Sequence, residues 1–170
     1  MTVAEGALPD DPSNSVASDL IIDATVSNAI TQCLDTFAAL PERKALIAQV
    51  ATDAKSGTLG ILNLCIPNPQ LKPSEIDQNA CRTITSNGEL ELYHRLWQES
   101  PDDHELIPTR GCSVPTFHGS AADLAAVAAT LVSLLGNHLL QTPTALSGTH
   151  LIALPHADSG PPHYFLPFKD

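Results

Sequence analysis

The chain has 170 residues, 43% of them hydrophobic, enough for one ordinary domain with a sizeable core and too apolar for global disorder. Eight Lys plus Arg against nineteen Asp plus Glu give a formal net charge of −11, which argues against non-specific nucleic-acid binding. No basic segment leads into a hydrophobic stretch at the N-terminus, and no apolar run approaches the roughly 20 residues of a membrane span, so a cytoplasmic protein with no membrane or nucleic-acid partner is expected.

In chain order, residues 1–17 are polar and hold Gly6, Pro9 and Pro12, and are expected to form a flexible lead. Asp19 to Thr25 (DLIIDAT) is a short apolar run bounded by acids, which predicts a strand buried on both faces of a parallel sheet. Ser27 or Asn28 can cap a following helix on which Ile30, Cys33, Leu34, Phe37 and Ala38 share one face, and Pro41 ends it. Ala45 to Ala51 predicts a second strand, completing a βαβ unit with a parallel pair. Asp53 to Gly57 is a turn, and Thr58 to Ile66 a third strand, antiparallel to the second because the link is short.

Pro67, Pro69 and Pro73 then break the pattern, so residues 67–88 are expected to form a long connection. Glu89 to Glu99 is read as a helix, with Tyr93 and Trp97 as anchors. Ser120 caps the most periodic helix of the chain, whose Leu124, Val127, Ala128, Leu131, Leu134, Leu135, Leu139 and Leu140 form a wide apolar face. Thr149 to Leu154 predicts one more strand. The proline-rich segment from Pro155 to Asp170 reads as extended, lying on a partner or on the body of a larger protein.

The four cysteines, Cys33, Cys65, Cys81 and Cys112, include no C-x-x-C pair, so a zinc site of the usual kind is not expected. Cys33 and Cys65 fall in apolar patterns and read as buried hydrophobes. Cys112 lies in a Gly- and Pro-bearing loop, with Arg110 two residues before it and a helix start after it. Both features favour a thiolate, and the alternative is a partly buried loop cysteine. Cys81, beside Arg82 in the long connection, is a second candidate nucleophile. Asp23 closes a strand where α/β sheets place ligand-contacting groups, and it can equally cap the next helix. The seven histidines show no H-x-x-x-H or H-E-x-x-H pairing and read as scattered residues, so no metal ligands are assigned.

DLIIDATVSNAITQCL and ALIAQVATDAKSGTLGIL, followed by RGCSVPTFHGSAADLAAVAATLVSLL, resemble the second half of the adenylating domain of the ThiF/MoeB/HesA family, which includes the ubiquitin-activating enzymes. The resemblance covers residues 18–142, with residues 143–170 as an extended tail. It implies a partial Rossmann-like α/β fold, a mixed sheet flanked by helices that lacks the N-terminal nucleotide-binding strands. It also implies ATP and magnesium, which this chain alone is not expected to bind, and a ubiquitin-like or sulfur-carrier protein as partner. By the same resemblance Cys112 matches the family's loop cysteine, the acyl acceptor, and Asp23 its strand-end acid. Val26 stands where the family has a second acid that contacts magnesium and nucleotide. The absent first half calls for a second polypeptide or a homologue to complete the domain.

Overall fold

The computed structural model describes residues 18–53, 56–97, 120–140, 146–155 and 163–168. They form an α/β structure around an open, mixed sheet of five strands: β1 (Leu20–Asp23), β2 (Leu46–Thr52), β3 (Leu59–Cys65), β4 (Gly148–Ala153) and β5 (His163–Pro167). Strand order follows chain order. β1 and β2 are parallel, with α1 (Asn28–Ala38) as their crossover, and every later pair is antiparallel. The predicted βαβ unit and the antiparallel third strand are both present.

Strand alternation divides the sheet's side chains between two layers. On one face Ile47, Cys65 and Ala45 pack on Leu34 and Phe37 of α1 and on Ile76 of α2 (Pro73–Ser86). Further along the same face, Leu59, Ile61 and Leu151 pack on Ala80 and Ile84 of α2 and on Leu90 and Tyr93 of a 3-10 segment, Gly88–Leu96. On the other face Leu46, Ala48, Leu62, Leu64 and Ile152 meet Val127, Leu131 and Leu135 of α3 (Ala121–Leu140). Each Leu, Ile, Val or Phe among them, fully buried, contributes about 1.5–3 kcal/mol.

Several expectations need correction. Residues 67–88 are not a long connection, because Pro73 to Ser86 is α2. Pro73 stands at the first turn, where its missing N–H and fixed φ cost nothing, and the Glu75 carboxylate accepts from the Lys72 N–H at 3.1 Å. β1 is not buried on both faces: it is a sheet edge, and Ile22 is 54% exposed. Cys33 is exposed, because it lies off the stripe that Leu34 and Phe37 turn to the sheet. Residues 89–99 contain a 3-10 helix, with Tyr93 buried as expected.

The predicted helix after Ser120 is present, with the Ser120 hydroxyl accepting from the Asp123 N–H at 3.4 Å. Its buried stripe is narrower than the sequence suggests, since Ala128, Leu139 and Leu140 are exposed. By length and composition alone α3 meets the requirement for a membrane-crossing helix, contrary to the expectation that no apolar run approaches that length; here it lies across β2, β3 and β4. His163–Pro167 is extended, as expected of the tail, but its partner is β4 of the same chain.

Candidate functional site

The first turn of α1 and the carboxyl ends of β1 and β2 meet α2 around a polar pocket of about 270 Å³. Three of its lining residues, Asp23, Gln49 and Asn63, are set side by side across the sheet. Asp23 pairs in register with Gln49 and Gln49 with Asn63, and Asn63 pairs in turn with Thr149, which lies outside the pocket lining. Gln49 and Asn63 interrupt apolar strands, Asp23 ends one, and the register puts all four polar residues on the face under α1 and α2.

Hydrogen bonds tie these residues into two pairs, each anchored to a helix. Gln49 Nε2 donates to Asp23 Oδ2 at 3.0 Å and to Thr31 Oγ1 on α1 at 3.2 Å. Thr149 donates to Asn63 Oδ1 at 2.6 Å, and Asn63 Nδ2 donates to Asp77 Oδ1 on α2 at 3.0 Å. Trp97 Nε1 holds the other Asp77 oxygen at 3.2 Å. The Thr25 backbone N–H and hydroxyl both donate to Asp23 Oδ1, at 2.9 and 2.7 Å. Burial raises the Asp23 pKa, but the hydrogen bonds from Gln49 and Thr25 outweigh it and hold the carboxyl below its ordinary value. Asp23 is therefore an ionised, buried carboxylate whose hydrogen-bond donors are neutral. Ser27, not Asp23, caps α1, accepting from Ile30 N at 3.5 Å.

Val26 lines the mouth of the pocket with φ at 52°. For a β-branched residue this left-handed conformation is an outlier of the kind that collects at functional sites.

Of the candidate site residues that the structure describes, Asp23 lines this pocket and Cys81 does not. Cys81 is half-buried on α2, in a helix and not in a connection. Cys112 and Arg110 lie outside the described residues. Sequence reasoning passed over Gln49, Asn63 and Asp77. The signal was there in the first two, an amide in the middle of LIAQVAT and another in LGILNLC. Asp53, read as a turn residue, is one: its carboxylate accepts from Leu59 N, Ser56 N and Ser56 Oγ at 2.9, 2.8 and 2.7 Å.

The described lining of the pocket carries two carboxylates and no lysine or arginine, so a nucleotide triphosphate meets no counter-charge there. Among the described residues no group of three His, Cys, Asp or Glu is placed to hold a metal ion. The described residues of this pocket therefore do not fit magnesium–ATP. Comparison with protein-family models and with curated proteins gave no match to this sequence.

Proposed function

We propose that this chain is the carboxyl-terminal half of a ThiF-like adenylating domain, a partial Rossmann-like unit. In this reading it works in the cytoplasm, in the activation of a ubiquitin-like or sulfur-carrier protein, and accepts or positions the carrier's activated C-terminus. The observation that carries the reading is the β1 edge. A strand paired in parallel to β2 ends in a buried carboxylate, and its outer side has no neighbouring strand among the described residues. Ile22 beside it and Val26 just past its end are exposed. Parallel strands are normally covered on both faces, so a bare apolar edge of this kind suits a sheet that begins on another polypeptide or another segment.

In this reading Cys112 is the acyl acceptor. Its thiolate, favoured by the charge of Arg110, forms the thioester bond while the carrier's acyl–phosphate bond breaks. The completing polypeptide supplies the Gly-rich loop and the ATP and magnesium chemistry. Asp23 holds the β1–α1 turn against that nucleotide site, and Cys81 is the second candidate acceptor.

One observation favours a binding role without transfer chemistry. Val26 replaces the family's second acid, and the pocket beside it presents no cationic side chain among the described residues. Such a chain would serve as the structural or binding partner of an active homologue.

The experiment mixes the full chain with ATP, magnesium, an intact adenylating homologue and a carrier ending in Gly-Gly, then resolves the products with and without thiol. A thiol-sensitive adduct that disappears in Cys112→Ala supports acyl transfer. An adduct that survives that change and disappears in Cys81→Ala moves the role to α2. If the homologue adenylates the carrier and no adduct forms, the transfer reading fails and the binding role stands.

A further inference from the structure

Three of the seven histidines, distant in sequence, face the same side of the sheet. His150 lies on β4 and His163 on β5. The antiparallel register sets Phe165 opposite His150 and Ile152 opposite His163, which makes the two imidazoles diagonal neighbours. His150 Nδ1 and His163 Nε2 are 2.9 Å apart. The rings stack with centroids 5.2 Å apart and 14° between planes, and Phe165 tilts against His150 at 4.5 Å. A hydrogen bond between two imidazoles needs one N–H and one lone pair. The contact therefore exists only while at least one ring is neutral.

α3 brings a third imidazole to this face. His138 is 7% exposed, and its Nε2 is buried without a hydrogen-bond partner among the described residues. Burial pushes its pKa down. Burial, then the charge of His163, then that of His138, pushes His150 down to about 4. Those two imidazoles are the charged groups acting on His150. β3 presents Leu62 opposite it, and no carboxylate among the described residues compensates a proton there.

We propose that His150 and His163, beside the buried His138, form an acid-released latch that holds β5 on the sheet. Adding the second proton removes the lone pair the contact requires and leaves two cations side by side. With β5 detached, Phe165 and His163 leave the His150 ring, and an imidazole free of such surroundings titrates near 6.5. The open form thus binds protons more readily than the closed one. The latch is whole above about pH 6.5 and weakens progressively as pH falls toward the closed-state value of about 4. When it opens, Tyr164, Leu166 and Phe168 withdraw from their core contacts, and the outer side of β4 becomes the sheet edge. An edge with bare N–H and C=O groups is a template for another strand, so mild acid would exchange the β5 edge for that of β4. This inference does not depend on the adenylating reading.

Amide hydrogen exchange on the full chain at pH 7 and pH 5, corrected for intrinsic exchange, tests it. Protection of the β4–β5 ladder should fall on the order of tenfold at pH 5, while the β2–β3 ladder of the same molecules keeps its protection. The double variant H150Q/H163Q should lose the acid response. Unchanged β4–β5 protection in the natural chain would overturn the proposal. So would equal loss in both ladders, or an unaltered acid response in the double variant. Should that variant fail to fold, the comparison of the two ladders in the natural chain decides alone.

Discussion

Arg43 shows how far a residue's surroundings can depart from its type. It is 5% exposed, yet no carboxylate pairs with it among the described residues. Its guanidinium instead donates to backbone carbonyls: Ala38 at 3.3 Å, Ala45 at 2.8 Å, Cys65 at 3.3 Å, Ile66 at 2.9 Å and Asn68 at 3.4 Å. These groups belong to the end of α1, the start of β2, the end of β3 and the turn beyond it, so one planar fork ties four chain segments together. Arg43→Ala removes all five of these bonds, although Asn68 O keeps the Leu71 N–H. It should cost about 3 kcal/mol in urea denaturation, with Arg43→Lys recovering only part, because an ammonium cannot span the same set. Neighbouring Cys65 has its thiol pushed up to about 11 by burial, against the opposing charge of Arg43, which makes it an inert packing residue as the sequence suggested. Asp23 was legible as a strand-end acid. Its partners Gln49 and Asn63 were visible as polar breaks, but only pairing register reveals that they form one row.

Secondary structure was read well where periodicity was clean and badly where proline dominated. The break at residues 67–88 was inferred from three prolines, yet Pro73 begins α2 and Ile76, Ala80 and Ile84 supply its apolar stripe. Proline marks a helix start as readily as a helix stop, and the deciding signal was Glu75 three residues after Lys72. The packing of α3 depends on a glycine. A Cβ on Gly60 would stand 2.6 Å from Val127 Cγ1, 3.0 Å from Ile152 Cγ1 and 3.1 Å from Leu131 Cδ1, so α3 approaches β3 more closely than any side chain there permits. Gly60→Ala should destabilise the protein by about 1–3 kcal/mol through overpacking. Adding Val127→Ala should return part of that loss, and thermal melts of the single and double variants measure it.

Among the described residues, one edge of the sheet is β5 and the other, β1, exposes Ile22 and lies beside an apolar groove of about 300 Å³ lined by Val26, Val50, Leu131 and Val132. An unpaired strand next to bare apolar surface favours association. The isolated chain should therefore sediment as a concentration-dependent mixture of monomer and larger species, and Ile22→Lys should shift it toward monomer. A natural chain that remains monomeric at every concentration would count against the half-domain reading. The sequence by itself determined the α/β class, the parallel first pair, the antiparallel third strand and the long helix after Ser120, because hydrophobic period and link length act locally. Only the tertiary structure decided that β1 is an edge, that polar residues of three strands line one pocket, and that His150 meets His163. Those facts depend on strand order and register, which arise from contacts between residues far apart in the chain and leave no periodic mark along it.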